Sequence, residues 1–149
     1  MQAKNLFLFI LFSSSLFSNY KFETVLSDLD DAWSLDFLNE ETIIFTEMPG
    51  KLKIASLSDG SITDIKNVPK VLYSSQGGLS EVILDPNFSS NRTLYLSYSA
   101  KNTDGKATLF LMSAKLNNDV LVGHFGCGLL CSFGNLICGT IYFLQILFK

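Results

Sequence analysis

Alternation of apolar and polar residues divides residues 20–119 into short runs. Trp33-Ser-Leu-Asp-Phe37 alternates strictly, and such alternation sends successive side chains to opposite faces of a strand. Asn39-Glu-Glu-Thr42 then supplies a turn. Ile43–Thr46 forms the next run and Pro49-Gly50 ends it. Lys51-Leu-Lys-Ile54 alternates again, Ser58-Asp-Gly60 turns the chain, and Ser61–Ile65 follows. Four short runs at this spacing predict an antiparallel meander. Further runs at Leu79–Leu84, Thr93–Ser99 and Ala107–Leu116 are separated by Asp85-Pro-Asn87 and Asn102–Gly105. No long stretch between 20 and 119 has helical periodicity. The prediction is an all-β fold: one four-stranded sheet followed by the start of another. That is the pattern of a β-propeller, and a small β-sandwich would show similar runs.

The two ends break this pattern. Lys4 precedes an apolar run from Leu6 to Phe12 and a Ser-rich stretch, so residues 1–18 read as a secretory signal peptide. The run is short for a membrane span, which needs about 20 apolar residues. Export to the periplasm or outside the cell is the expectation, with an N-terminal anchor as the alternative. At the other end, residues 124–148 hold no Lys, Arg, Asp or Glu. Length and apolarity there fit a transmembrane helix. The glycines at 126, 128, 134 and 139 and the β-branched and aromatic residues fit buried strands equally well.

Composition narrows the function classes. The 149 residues carry 11 Lys and Arg against 14 Asp and Glu, a net charge of −3. A nucleic-acid partner is not expected without a basic patch. The one arginine, Arg92, offers no guanidinium cluster, and the one histidine, His124, excludes multi-histidine metal sites. Cys127, Cys131 and Cys138 lack the paired spacing of a zinc site and read as small buried apolar residues. Asp28, Asp30 and Asp31 cluster without the Gly and distal Glu of a calcium loop, and read as a solvated turn. Asn91-Arg-Thr93 is a formal glycosylation sequon. Trp33 is predicted to pack between sheets, as large aromatics commonly do.

Five segments in order carry a more specific signal. They are Ala-Trp-Ser-Leu-Asp-Phe-Leu (32–38), Thr-Glu-Met-Pro-Gly-Lys-Leu (46–52), Gln-Gly-Gly-Leu (76–79), Asp-Pro-Asn-Phe (85–88) and Leu-Tyr-Leu-Ser-Tyr-Ser (94–99). Together they resemble the N-terminal part of the soluble aldose sugar dehydrogenases, the glucose/sorbosone dehydrogenase family. The resemblance implies a six-bladed β-propeller, of which this chain would supply the first two to two and a half blades. It implies export, pyrroloquinoline quinone (PQQ) as cofactor, and calcium to bind and polarise the quinone. The partner would be an aldose, oxidised at C1 to the lactone with hydride passing to PQQ.

Gly123-His-Phe-Gly-Cys-Gly-Leu129 resembles the family motif that opens the next blade and carries the catalytic base, with Gly128 where the family has Arg. On that resemblance His124 is the base, accepting the C1 hydroxyl proton as a neutral imidazole. A lone His beside an apolar run is the other reading. Gln76 would face the active-site opening and hydrogen-bond a sugar hydroxyl or the quinone. Gly77 and Gly78 would permit close backbone approach or positive φ, and an ordinary turn is the alternative.

The implied organisation is a signal peptide at 1–18, propeller sequence at 20–123, and an apolar tail at 124–149 that is either a degenerate blade or a transmembrane helix. A blade takes about 40–45 residues, so most of a six-bladed ring and its remaining cofactor ligands lie outside this sequence. The resulting expectation is a truncated member without dehydrogenase activity by itself. Self-association of copies into a ring, and a non-catalytic exported binding module held by residues 124–148, are the alternatives.

Overall fold

The computed structural model of the chain describes residues 20–129. The expected signal sequence at 1–18 and most of the tail lie outside that range. The described chain is all-β apart from one helical turn. Strands β1 (Ala32–Asn39), β2 (Thr42–Glu47), β3 (Lys51–Ser56) and β4 (Ile62–Asp64) form one antiparallel sheet in sequential order. Strands β5 (Leu79–Leu84), β6 (Thr93–Lys101), β7 (Ala107–Asn117) and β8 (Val120–Leu129) form a second. The helical turn α1 (Phe88–Asn91) joins β5 to β6. Seven of the eight strands fall on the short runs predicted from the sequence. Two sequential four-stranded meanders packed together are consistent with neighbouring blades of a propeller.

The sheets meet through the inward faces of both. Ile44 and Leu52 from the first sheet share one core with Leu79, Val82, Leu94, Leu96, Met112, Ala114, Leu116 and Leu121 from the second. The register explains the selection. Leu94 pairs with Ala114 and Leu96 with Met112, so the even positions of β6 and β7 stack on one face. Outward-facing Leu109 and Leu111 alternate with them and are half-buried.

Backbone groups at the rims are satisfied by short side chains. Asp85 Oδ1 accepts the Asn87 N–H at 2.9 Å and the Asn91 side-chain amide at 2.9 Å, while Oδ2 accepts the Tyr95 hydroxyl at 2.8 Å. These hydrogen bonds, led by the Asn87 N–H, hold Asp85 below the usual carboxylate range. The amide of the formal sequon is therefore tied into the β5–β6 connection. Arg92 caps α1 and lies over the Phe88 ring at 4.4 Å.

Two expectations differ from the structure. Trp33 does not pack between the sheets. It is 57% exposed, with Leu35 at 55% and Phe37 at 58%. The alternation of β1 turns Ser34, Asp36 and Leu38 toward the second sheet and sends the three large side chains the other way. Gly123–Leu129, expected to open a further blade, instead continues β8, the last strand of the second sheet. A tight turn explains this: Asn117 pairs with Val120 across Asn118-Asp119, with Asn118 at φ +53°. So short a connection returns the chain directly along β7.

Candidate functional site

The Gln76 motif lies at the end of the molecule where β1 and β5 begin and β2 ends. Ser74 and Gly77 exchange two backbone hydrogen bonds, at 3.0 and 2.9 Å, so Ser75 and Gln76 form the tip of a tight turn. Ser75 takes φ +57° there. Gln76 is exposed at the tip, with its amide directed to neither sheet by any hydrogen bond recorded among the described residues.

The two glycines serve close approach, and neither has positive φ. A Cβ on Gly78 would stand 2.2 Å from the Met48 carbonyl oxygen. One on Gly77 would meet Ser99 Oγ at 3.0 Å and the carbonyls of Leu72 and Ser74 at 3.2 Å. The absence of side chains lets this segment run between the sheets. The Leu79 N–H donates to Met48 O at 3.0 Å, the Ser99 N–H to Gly78 O at 2.8 Å, and the Leu72 N–H to Ser99 O at 2.6 Å. Gly50, at φ +114°, completes the Met48–Gly50 loop against Val71.

Beside this loop lies an ion pair that inspection of the sequence did not single out. Glu47 is fully buried, and Lys53 Nζ lies 2.9 Å from each of its carboxylate oxygens. The Asp30 N–H donates to Oε1 at 3.0 Å, whereas Oε2 is held by charge without an aligned hydrogen bond. Burial pushes the Glu47 carboxyl up. The Asp30 N–H, the Lys53 hydrogen bond and the charges of Lys53 and Lys51 outweigh it, leaving the group below its usual range. The one legible signal is that Glu47 and Lys53 fall on the same face of paired strands. Nearby, the exposed Tyr73 hydroxyl donates to Asp31 Oδ2 at 3.1 Å, and that carboxylate raises the phenol's pKa.

His124 is elsewhere. Ser113 pairs with Phe125 and Lys115 with Val122, so Gly123 and His124 together oppose Ala114 in a bulge. Gly123 takes φ +67° there, the conformation of a glycine-led bulge. The ladders set His124 level with Leu84, at the far end of β5 from Gln76. Five residues along β5 and three strand spacings across the sheet set His124 about 20 Å from Leu79, and Gln76 lies beyond Leu79 in the turn. The chain does not bring its two candidate residues together.

A quinone tricarboxylate needs cations, and calcium needs several convergent oxygens. Among the described residues no group of three or more His, Cys, Asp or Glu could hold a metal ion. Arg92 is at the α1 end of β5, away from Gln76, and Lys53 is committed to Glu47. These residues do not fit PQQ or calcium as a complete holder.

Comparison with known proteins identifies the lineage. A family profile described as Glucose / Sorbosone dehydrogenase matches residues 29–124. The aldose sugar dehydrogenase YliI of Escherichia coli (strain K12) is 33% identical over 99 residues, 66% of this chain and 27% of that protein. The solved apo form of the soluble aldose sugar dehydrogenase from Escherichia coli superposes with a TM-score of 0.69 at 27% identity, covering 76% of this chain and 34% of the other. The PQQ-bound aldose sugar dehydrogenase from Streptomyces coelicolor shares the fold, with a TM-score of 0.59 at 20% identity over 71% of this chain and 32% of that one. The chain thus spans about a third or less of the length of these relatives.

Proposed function

The chain belongs to the glucose/sorbosone dehydrogenase family, and we propose that it is a partial PQQ-dependent aldose dehydrogenase of the exported type, inactive by itself. The observation that carries this reading is the family match over residues 29–124, which includes the Gln76-Gly77-Gly78 turn stitched to the Met48 loop. In a complete site, Gln76 would hydrogen-bond a sugar hydroxyl or the cofactor, and His124 would take the proton of the C1 hydroxyl as a neutral base only if its segment left β8 to open a further blade, as the family motif implies. PQQ, with calcium, would supply the two-electron acceptor.

Inactivity of the separate chain follows from orientation. Catalysis needs the base, the sugar contacts and the acceptor held in one near-attack geometry. Here Gln76 sits on the Ser74–Gly77 turn and His124 on β8, at opposite ends of the second sheet, and the turn itself carries no cation for a tricarboxylate. Repeating the same chain adds no new residue type to the site. Among the described residues no helix is long and apolar enough to cross a membrane.

The direct test is dye reduction with aldose after adding PQQ and calcium to the purified chain. No aldose-dependent rate above buffer is expected, and robust turnover would overturn the inactivity. A chimera tests the residue roles. Residues 29–124 replace the matched stretch of the Escherichia coli relative, and sugar oxidation is expected to survive. In that chimera His124→Ala should lower kcat by about 10²–10⁴-fold, the usual worth of a positioned base. Gln76→Ala should lower kcat/KM by about tenfold, as expected for one lost hydrogen bond. An unchanged rate in either variant removes that residue from the site.

A further inference from the structure

The rim of the Gln76 turn carries a second polar group that the fold holds in place. Tyr73, Ser74, Ser75 and Gln76 are four consecutive exposed residues ahead of the buried Gly77 and Gly78. The Tyr73 side chain is 51% exposed, yet its hydroxyl is pinned by donating to Asp31 Oδ2 at 3.1 Å. Asp31 is pinned in turn. It takes φ +54°, and its carbonyl accepts the Met48 N–H at 3.0 Å. Gly78 lies against the Met48 carbonyl, which accepts the Leu79 N–H at 3.0 Å. Asp31, Met48 and the Gly78 end of the Gln76 turn are therefore successive neighbours joined by backbone hydrogen bonds. Three residues of chain keep the Tyr73 and Gln76 Cα atoms no more than about 11 Å apart.

The chemistry of this rim suits a polyhydroxyl ligand. The Tyr73 oxygen gives its proton to Asp31 and keeps acceptor capacity, while Asp31 Oδ1 takes no hydrogen bond among the described residues. The Gln76 amide both donates and accepts. An aromatic ring already fixed in place gives contact area at little cost in entropy. We propose that Tyr73 and Asp31 form an aldose contact of this chain. The Tyr73 ring and phenol oxygen lie against the sugar, and Asp31 Oδ1 accepts a hydroxyl other than that at C1, since C1 must face the electron acceptor. The ligand class, though not the geometry, rests on the aldose reading proposed above. The contact needs neither PQQ nor the base, because each group in it sits on one edge of this chain and is held by its own backbone.

The experiment is a nuclear magnetic resonance titration of the full chain with glucose, without cofactor. Glucose is raised to about 1 M, because a few exposed hydrogen bonds give only weak binding. Saturable shifts of the Tyr73 ring signals and the Gln76 side-chain amide are expected. Asp31→Asn should weaken binding about tenfold, the lower end for a hydrogen bond to a charged group. Asn tolerates φ +54°, so the loop is kept. Tyr73→Phe disturbs no backbone preference and should weaken binding about fivefold, as for a neutral hydrogen bond. A series of deoxyglucoses then separates contact from support. The sugar lacking the hydroxyl that Asp31 accepts should bind the wild type and Asp31→Asn equally well, a cancellation that a merely structural role would not produce. No saturable shift in the wild type, or an Asp31→Asn loss equal for every deoxyglucose, overturns the proposal. Failure of the dehydrogenase reading shows separately: a chimera that oxidises no sugar refutes that reading, while glucose binding by this chain still upholds the contact.

Discussion

Strand β1 has a seam on one side and an open face on the other, and the two are built differently. Toward the second sheet it presents Ser34, Asp36 and Leu38. Ser34 Oγ accepts the Val82 N–H at 3.3 Å, and Asp36 Oδ2 accepts the Leu84 N–H at 2.8 Å. Thr46, buried on β2, donates to Ser80 O at 2.6 Å. These side chains satisfy the free backbone edge of β5 as a neighbouring strand would. On the open side, Trp33, Leu35 and Phe37 carry more apolar surface and bury less of it. Hydrophobicity alone would therefore assign the faces the wrong way round. Burial at the seam is decided by which polar groups find partners, and the largest side chains of β1 are left more than half exposed.

The widest departure between the two sides is expected at Glu47, whose strand carries both. Lys53→Met leaves a buried carboxylate without its cation and should cost about 3–5 kcal/mol at neutral pH. The pH dependence has a definite sign. Glu47 titrates below its usual 4.5 in the folded chain, so the pair's contribution is fully present above that value and is lost as pH falls through the lowered one. The cost of Lys53→Met should therefore shrink in acid. Urea titrations showing the same cost at pH 3 and pH 7 would exclude the ion pair as its source.

Gly78→Ala probes the seam without touching charge. The new Cβ would meet a backbone oxygen at 2.2 Å, and backbone cannot swing aside like a side-chain tip. A loss of about 3 kcal/mol is expected, at the upper end for overpacking, visible as a lower denaturation midpoint at unchanged slope. Near-neutrality would mean that the Met48 loop is not held against Gly78.

Asp36→Ala removes a charged acceptor from the Leu84 N–H. A cost of about 1.5–2 kcal/mol follows for this half-buried site, the lower part of the range for a hydrogen bond to a charged group. Hydrogen exchange at Leu84 reads the effect directly, and protection there should fall more than at Leu96 in the centre of the second sheet.

Much of this architecture was legible in the chain, and the exceptions have physical reasons. Short runs between turn residues such as Pro49-Gly50 and Asn102–Gly105 located β1 to β7, with period-two alternation plain in β1 and β3. β8 was not resolved because Val120–Leu129 is Gly-rich and apolar on both faces, with no alternation to read. Its place is set by the two-residue turn at Asn118-Asp119. Trp33 was assigned to the wrong side because periodicity fixes which residues share a face, not which face is inward. The Gly77-Gly78 pair was legible as a choice between close approach and positive φ, and the Met48 carbonyl decides it. For Glu47 the shared strand face with Lys53 was the one legible signal, and its burial was not legible because it depends on the Asp30 loop, distant in sequence.

The smallest expected effect is also the most informative about the open face. Trp33→Ser removes the largest side chain of β1 from a position 57% exposed. At high dilution stability should change by less than about 0.5 kcal/mol. A partner that binds only the folded state stabilises it by mass action, so a second copy docked on this face would make wild-type stability rise with protein concentration. Trp33→Ser would flatten any such rise while leaving the dilute value alone. Denaturation midpoints for both proteins across a hundredfold concentration range separate the two contributions. A substantial loss already at the lowest concentration would show that Trp33 supports its own sheet, and the contrast between the two faces of β1 would fail.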